Sequence, residues 1–302
     1  MFSRVATFAL SDQMLAGALR TETTMANLQT QEASGVKSQF LAGYGADTQQ
    51  VINLQVSVTR AQSYIDASTL ADNKVQVMYS AVGKMTDIIT NLRTQLSAAT
   101  TGSGTATNSA ISSAQQMLEQ MGSLMNSQYN GEFLFGGART STSPADLSTF
   151  ATGAGPLTTP DTSYYKGDGE IASVRVAADQ SVSYGVTADN PAFEQIMRVL
   201  KFVANSTTLS STDITNALNL ASTALDATAT VQAKLSNSAA QMESAKSLQS
   251  DYQSFAQTLG GDLTGVDVAA VTAQLATYQA QLTASFSAIA KIQGMNLASF
   301  LR

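Results

Sequence analysis

The chain has no cysteine, no histidine and no tryptophan. Without thiolates or imidazoles it has no zinc or iron–sulfur ligand set of the usual kinds. It also has no Ser-His or Cys-His nucleophilic pair. No disulfide can hold it together, so a secreted form would depend on packing alone. Charge is equally scarce: Asp, Glu, Lys and Arg make up 13% of the 302 residues, about half the usual share. The net charge is −6, and the 16 basic residues are scattered singly. That excludes a nucleic-acid interface built on a Lys/Arg patch. A weakly charged surface rich in Ala, Ser, Thr and Gln is compatible with extensive self-association.

There are four prolines, and all of them, Pro144, Pro156, Pro160 and Pro191, fall between residues 144 and 191. Proline breaks helix interiors, so this confinement divides the chain into a helix-permissive part, a non-helical part and a second helix-permissive part. The opening MFSRVATFALSDQML carries one basic residue and an apolar run only from Val5 to Leu10, which is not a cleaved secretory signal. Val268–Ala290 has no charge and is long enough to span a bilayer, but Thr272, Gln274, Gln279, Gln281 and Ser285 make it too polar to do so. No membrane insertion is expected.

In the first part, Val51, Leu54, Val58, Ala61 and Ile65 alternate at spacings of three and four. The same register continues through Val75, Tyr79, Val82, Ile89 and Leu96, with polar exceptions at Ser68, Asp72, Thr86 and Arg93. This predicts a long helix over 45–98 in a coiled-coil-like seam. Thr101-Gly-Ser-Gly-Thr105 should break it. Ile111, Ala114, Leu118, Met121 and Met125 then predict a return helix over 106–129.

At YNGEFLFGG, residues 129–137, the periodicity becomes two. Phe133 and Phe135 alternate with Leu134, and Val182, Tyr184 and Val186 alternate with Ser183 and Gly185. Asp168-Gly169 reads as a turn between strands 163–166 and 171–176. Asn130-Gly131 and Gly136-Gly137 supply the backbone freedom for the change of direction.

Helix then returns. Asn190-Pro191 is an N-cap with proline at the first helical position. Phe193, Ile196, Met197, Leu200 and Val203 form the apolar face behind it. A long helix follows through Leu218, Leu225, Leu235, Met242 and Tyr252, ending at Gly260-Gly261. The last helix, 268–302, carries Val268, Val271, Leu275, Tyr278, Leu282, Ile289 and Ile292 in heptad register, interrupted by Ser285. At the other end, 1–30 carries the broader face Met14, Leu15, Ala18, Leu19, Met25 and Leu28. These end helices are marginal alone, so their apolar faces must be covered by each other, by the rest of the chain or by neighbouring copies.

The fold class expected is mainly α with a β-rich insert: a long antiparallel, coiled-coil-like bundle from both chain ends and a small β domain between. The domains are 1–130 and 191–302, both helical, and 131–190, β-rich and outward-facing.

This layout resembles the flagellin superfamily of bacterial flagellar proteins. LQTQEASGVKSQF, residues 28–40, resembles its N-terminal Ser-Ser-Gly-Lys/Arg segment, with Ser34, Gly35 and Lys37 in matching places. LSNSAAQMESAKSLQSDYQSF, residues 235–255, resembles the helix after its β region. YQAQLTASFSAIAKIQGMNLASFL, residues 278–301, resembles its terminal assembly helix. LAGYGADTQQ, residues 41–50, departs from the family by having no proline. Gly131-Glu-Phe-Leu-Phe-Gly-Gly137 and YYKGDGEIASVRVAADQSVSYGVTADNPAF, residues 164–193, are most like the hook-associated, hook–filament junction type.

The resemblance implies a structural subunit joining hook to filament, with no catalysis and no cofactor. About eleven copies would form a ring-like layer. It would meet flagellin on one side and the adjacent hook-associated junction protein on the other. It would leave the cell unfolded through the flagellar type III apparatus, with an export chaperone on its last helix. Residues 1–30 and 268–302 would be mobile in the monomer and order against neighbours. Asn130, Gly131, Phe133, Leu134, Phe135, Gly136 and Gly137 would mark the junction between helical and β regions.

Flagellin of a minor or short type is the alternative, and a carbohydrate-binding adhesin using the insert's tyrosines is a third. Asp168 with Glu170, or Asp161 near Tyr164 and Tyr165, are the carboxylates an enzyme would use. Asp168-Gly169 is more simply a turn, and Asp-x-Glu lacks the remaining oxygens of a calcium loop.

Overall fold

A computed structural model describes residues 2–101, 104–150 and 155–298. Its helices are α1 (Phe2–Ser34), α2 (Thr48–Thr101), α3 (Gly104–Met125), α4 (Pro191–Ala204), α5 (Ser211–Thr264) and α6 (Val268–Ala298). Its strands are β1 (Gln128–Tyr129), β2 (Glu132–Phe133), β3 (Ser173–Arg175) and β4 (Ser181–Ser183). The chain forms two compact units, Arg60–Tyr252 and Met1–Thr59 with Gln253–Arg302; α2 and α5 contribute to both.

In the unit Arg60–Tyr252, α2 buries Ala61, Ser68, Ala71, Val75, Met78, Val82, Met85, Ile89, Leu92, Leu96 and Ala99. From Ser68 to Ala99 this line steps alternately by three and four, as in knobs-into-holes packing, with Ala81 and Ile88 buried beside it. The set Ala61, Ser68, Val75, Val82, Ile89, Leu96 is the expected one. Its interleaved partners are not. Asp72, Tyr79, Thr86 and Arg93 were expected in the seam, whereas Ala71, Met78, Met85, Leu92 and Ala99 occupy it, and Tyr79 is 43% exposed. The reason is the step direction: each buried partner lies three residues after its predecessor rather than four. Of the polar exceptions, Ser68 lies in the buried line, while Asp72, Thr86 and Arg93 lie half-buried beside it.

On α5 the seam runs Ile214, Ala217, Ala221, Ala224, Thr228, Val231, Leu235, Ser238, Met242 and Ala245. Leu218 and Leu225 are only half-buried, and Tyr252 is 47% exposed. Small residues fill the line and let the backbone pack closely, while the leucines lie beside it. A reciprocal cap starts α5: Asp213 accepts the Ser210 N–H (3.0 Å) and Ser210 Oγ accepts the Asp213 N–H (3.1 Å).

α2 ends at Thr101 and α3 starts at Gly104; Gly102 and Ser103 of the expected break lie outside the described residues. α3 ends at Met125, not 129, because Gln128 and Tyr129 turn out to form β1. Asn190 caps α4 as expected, its side chain accepting the Ala192 N–H at 3.0 Å with Pro191 at the first turn. All five expected apolar residues of α4 are buried.

The strands differ from the expected ones. β1 and β2 pair antiparallel across Asn130-Gly131, with Tyr129 opposite Glu132. Asn130 (φ 51°) and Gly131 (φ 81°) are both left-handed, the two-residue turn whose twist suits a hairpin. β3 and β4 pair Val174 with Val182, so the turn lies near residues 177–180. Asp168-Gly169 joins no hairpin. Residues 163–166 contribute only a single bridge, Ala145 with Tyr165. The loop at 168 is shaped by its side chain, as described below.

In the terminal unit α1 and α6 run antiparallel. Leu28 packs with Val271 and Leu275, flanked by Met25, Val266 and Tyr278. Thr272 donates to Glu32 across the pair at 2.8 Å. α5 does not stop at Gly260-Gly261 but continues to Thr264. Neither glycine takes a left-handed φ, so the expected break is absent. Asp267 caps α6, accepting N–H groups of Ala269 and Ala270 at 3.0 and 3.2 Å.

Candidate assembly surfaces and the junction motif

The end helices show one narrow apolar seam and an open far side. On α1, Ala18 and Leu28 are buried, and Met14 and Met25 are half-buried. On α6, Val271 and Leu275 are buried, and Tyr278, Leu282, Ile289 and Ile292 are half-buried. Leu15, Leu19 and Val268 stay outside the seam, 46%, 54% and 44% exposed. Phe286, which periodicity passed over, is 48% exposed, whereas Ala18, the smallest residue of the expected α1 face, is buried. Between Val268 and Ala290, α6 has no charged side chain. Such a surface can be covered by protein without desolvating an ion. Residues 299–302 of the expected terminal helix lie outside the described residues.

The nearby Leu41–Asp47 stretch, the one without the family's proline, is a 3₁₀ turn with Gly45 at φ 58°. It holds Phe40 76% exposed. Ser38 Oγ receives the Phe40 N–H at 3.0 Å, and Thr48 Oγ1 donates to Leu41 at 2.9 Å.

The junction motif is built outward from the β1–β2 turn. Leu134 and Phe135 are buried, whereas Phe133 is half-buried. Phe135 meets Phe193 of α4 edge to face, with ring centres 5.9 Å apart at 86°. Its carbonyl accepts the Ala188 N–H at 2.9 Å. Gly136 and Gly137 let the loop at 168 approach: the Asp168 N–H donates to the Gly136 carbonyl at 3.2 Å. A Cβ on Gly137 (φ 70°) would overlap Asp168 Oδ1 and sit 2.6 Å from its carbonyl.

The carboxylates weighed as catalytic are engaged in structure. Asp168 Oδ1 accepts N–H groups from Ala138 (2.9 Å) and Glu170 (3.1 Å), which hold its pKa below the usual carboxylate range. Burial raises the Asp161 pKa, but hydrogen bonds from Lys201 and Ser163 outweigh it and bring it down to about 2. Lys201 Nζ lies 2.6 Å from Asp161 and 4.2 Å from the Phe150 ring centre. Glu194 accepts the Asp161 N–H at 2.9 Å and pairs with Arg198 at 3.2 Å. Burial still lifts the Glu194 pKa above its ordinary value. Tyr164 is fully buried and donates to the Ala188 carbonyl at 2.9 Å; burial pushes its pKa well up. Burial also pushes Tyr165 up to about 12. Together these groups fasten Phe150 and the 161–165 stretch to α4 and its approach.

Among the described residues no group of three acidic side chains could hold a metal, and no helix is long and apolar enough to cross a membrane.

Two features stand together: long helices contributed by both chain ends, and a glycine-framed Phe133-Leu134-Phe135 stretch that leaves the β1–β2 turn. Residues 5–140 match the family model of the bacterial flagellin N-terminal helical region. The chain is similar to that family over this N-terminal part, 136 of its 302 residues. Its fold is shared with a putative flagellar hook-associated protein from Vibrio parahaemolyticus, at TM-score 0.61 and 15% identity over 72% of this chain and 97% of that one. FlgL of Bacillus cereus aligns at TM-score 0.43 and 12% identity, covering 70% of this chain and 96% of its own. Hook-associated protein 3 of Legionella pneumophila aligns at TM-score 0.46 and 13% identity, covering 72% and 97%. No curated protein sequence matches the chain.

Proposed function

We propose that this protein is a structural subunit of the bacterial flagellum that joins hook to filament. The observation that carries this reading is the flagellin-type N-terminal region at residues 5–140, ending in the Gly131–Gly137 hairpin. A fold shared with a hook-associated protein supports it. Copies assemble through α1 and α6, whose far sides keep Leu15, Leu19, Val268 and Phe286 exposed. Its neighbours are further copies in a ring-like layer, flagellin, and the adjacent hook-associated junction protein. An export chaperone covers the neutral α6 before assembly. The 131–190 region faces outward, and the role is one of packing rather than catalysis.

A second reading is a minor or short flagellin, favoured because the matched family model is flagellin's own. Gold-labelling of isolated flagella with an antibody against residues 131–190 separates them. A short labelled band where hook meets filament is the expected result. Label along the whole filament would make the chain a flagellin.

A further inference from the structure

α5 ends at Thr264, and a helix end leaves its last carbonyls without donors of its own. Here the donors come from the far end of the chain. The Lys37 N–H donates to the Thr264 carbonyl at 2.8 Å, and Lys37 Nζ to the Leu263 carbonyl at 2.9 Å. In return the Val266 N–H donates to the Gly35 carbonyl at 3.0 Å, which makes Val36 and Gly265 an antiparallel bridge. Gln31 Nε2 holds the Lys37 carbonyl at 2.9 Å.

Both strands of this clasp are shaped by glycine. Gly35, at φ 68°, ends α1 in the left-handed conformation usual after a helix. A Cβ on Gly265 would come within 2.7 Å of the Gly261 carbonyl. Val266 continues directly into the seam, packing against Leu28, Val271 and Leu275.

We propose that Lys37 is a positioning residue for assembly: it caps α5 from a distant part of the chain and so fixes the exit of α1 against the entry of α6. A cation at a helix C-terminus is favoured by the helix dipole, and its ammonium reaches a carbonyl that no intrahelical donor serves. Because the bridge fixes Val36 against Gly265, the two end helices have one register, with Leu28 between Val271 and Leu275. Sliding α6 along α1 would break the bridge and both Lys37 bonds together. The pair α1–α6 is therefore set before a neighbouring copy arrives. This sharpens the role of the Ser34-Gly35-Val36-Lys37 segment and rests on the assembly reading only for its consequence, not for its geometry.

The test uses the full-length monomer, with Lys37→Met and Lys37→Arg variants. Hydrogen exchange is followed over residues 20–34 and 264–278 beside the thermal unfolding of the whole chain. Loss of the cap should speed exchange in both segments roughly fivefold. The main unfolding transition, which reports the Arg60–Tyr252 core, should not move. Lys37→Arg should restore protection, since it keeps both the charge and a donor. Unchanged exchange in Lys37→Met would overturn the proposal. So would a fall in the main transition in parallel, or failure of Arg to restore. A response in exchange together with label along the whole filament would keep the clasp and remove the junction reading. No response would remove the clasp whatever the label shows.

Discussion

Phe135→Ala tests whether the Phe-Leu-Phe motif is a packing device or an exposed binding surface. Phe135 is fully buried, with its ring edge on Phe193. Truncating a buried phenylalanine costs about 3–5 kcal/mol in lost transfer energy and cavity. The edge-to-face pair accounts for about 0.5–1.5 kcal/mol of coupling. Urea unfolding of the full chain should therefore show a fall of about 4 kcal/mol with an unchanged slope. Phe193→Ala should cost a similar amount. The double variant should cost less than the sum, by at least the pair coupling, because the second truncation enlarges a cavity already made. A loss below about 1 kcal/mol for Phe135→Ala would refute the reasoning, since no fully buried ring at native packing density is removed so cheaply. Strict additivity would refute the claim that the two rings act as a pair.

The α2 register predicts opposite results at adjacent positions: Met78→Ala should cost about 2–5 kcal/mol and Tyr79→Ala under about 1 kcal/mol, both by urea unfolding. Gly137→Ala should destabilise by at least about 1 kcal/mol and raise proteolysis at residues 167–170, because its Cβ would press on Asp168. Gly261→Ala, at an exposed position with open space around it, should stabilise by about 1 kcal/mol if α5 continues through it, and destabilise if the helix ends there. For acid, the sign follows from a depressed pKa: Asp161 falls from 3.8 to about 2 on folding, so its contribution is full above about pH 4 and is lost as pH drops toward 2. Asp161→Asn should flatten the stability profile in that window. Glu194, raised rather than lowered, works in the opposite direction: its contribution is full below its ordinary range and is lost as pH rises above it.

The helices, their order and the cap at Asn190 were legible because long periodic segments and proline placement carry strong signals. The α2 register was legible only by half. A seam made partly of alanine, serine and methionine offers two nearly equal sets, and the polar residues Asp72, Thr86 and Arg93 marked the wrong one. On α5 the largest residues were taken for the seam, but close packing selects Ala217, Ala221 and Ala224 instead. The strands of the insert are two or three residues long, too short to show alternation. Asp168-Gly169 has turn chemistry, yet its carboxylate serves the Ala138 N–H across the chain, a tertiary partner no local pattern contains. The buried group of Glu194, Arg198 and Lys201 was hidden for a related reason: charges spaced along α4 carry no local sign that Asp161 and Phe150 meet them.

The two units differ in what their cores can support. Arg60–Tyr252 buries Phe135, Tyr164, Phe193 and a continuous line of methionine, leucine and isoleucine, and it holds Asp161 to α4 with an ion pair to Lys201. Among the described side chains, the apolar seam between α1 and α6 buries Leu28, Val271 and Leu275 and little else of size. Two helices of 33 and 31 residues resting on so thin a seam gain little from each other, because helices in water depend on tertiary burial. Protein that covers the far side, where Leu15, Leu19, Val268 and Phe286 wait, supplies what the lone chain lacks. Under the proposed assembly, the absence of charge from Val268 to Ala290 has a physical sense. An ion there would have to be desolvated at every contact between copies, whereas Thr, Gln and Ser can be buried once their hydrogen bonds are met, as Thr272, Thr277, Thr283, Ser285 and Ser287 already do on their own helix carbonyls. A chain end so built is weak alone and unopposed in company, and that asymmetry is what an assembly subunit requires.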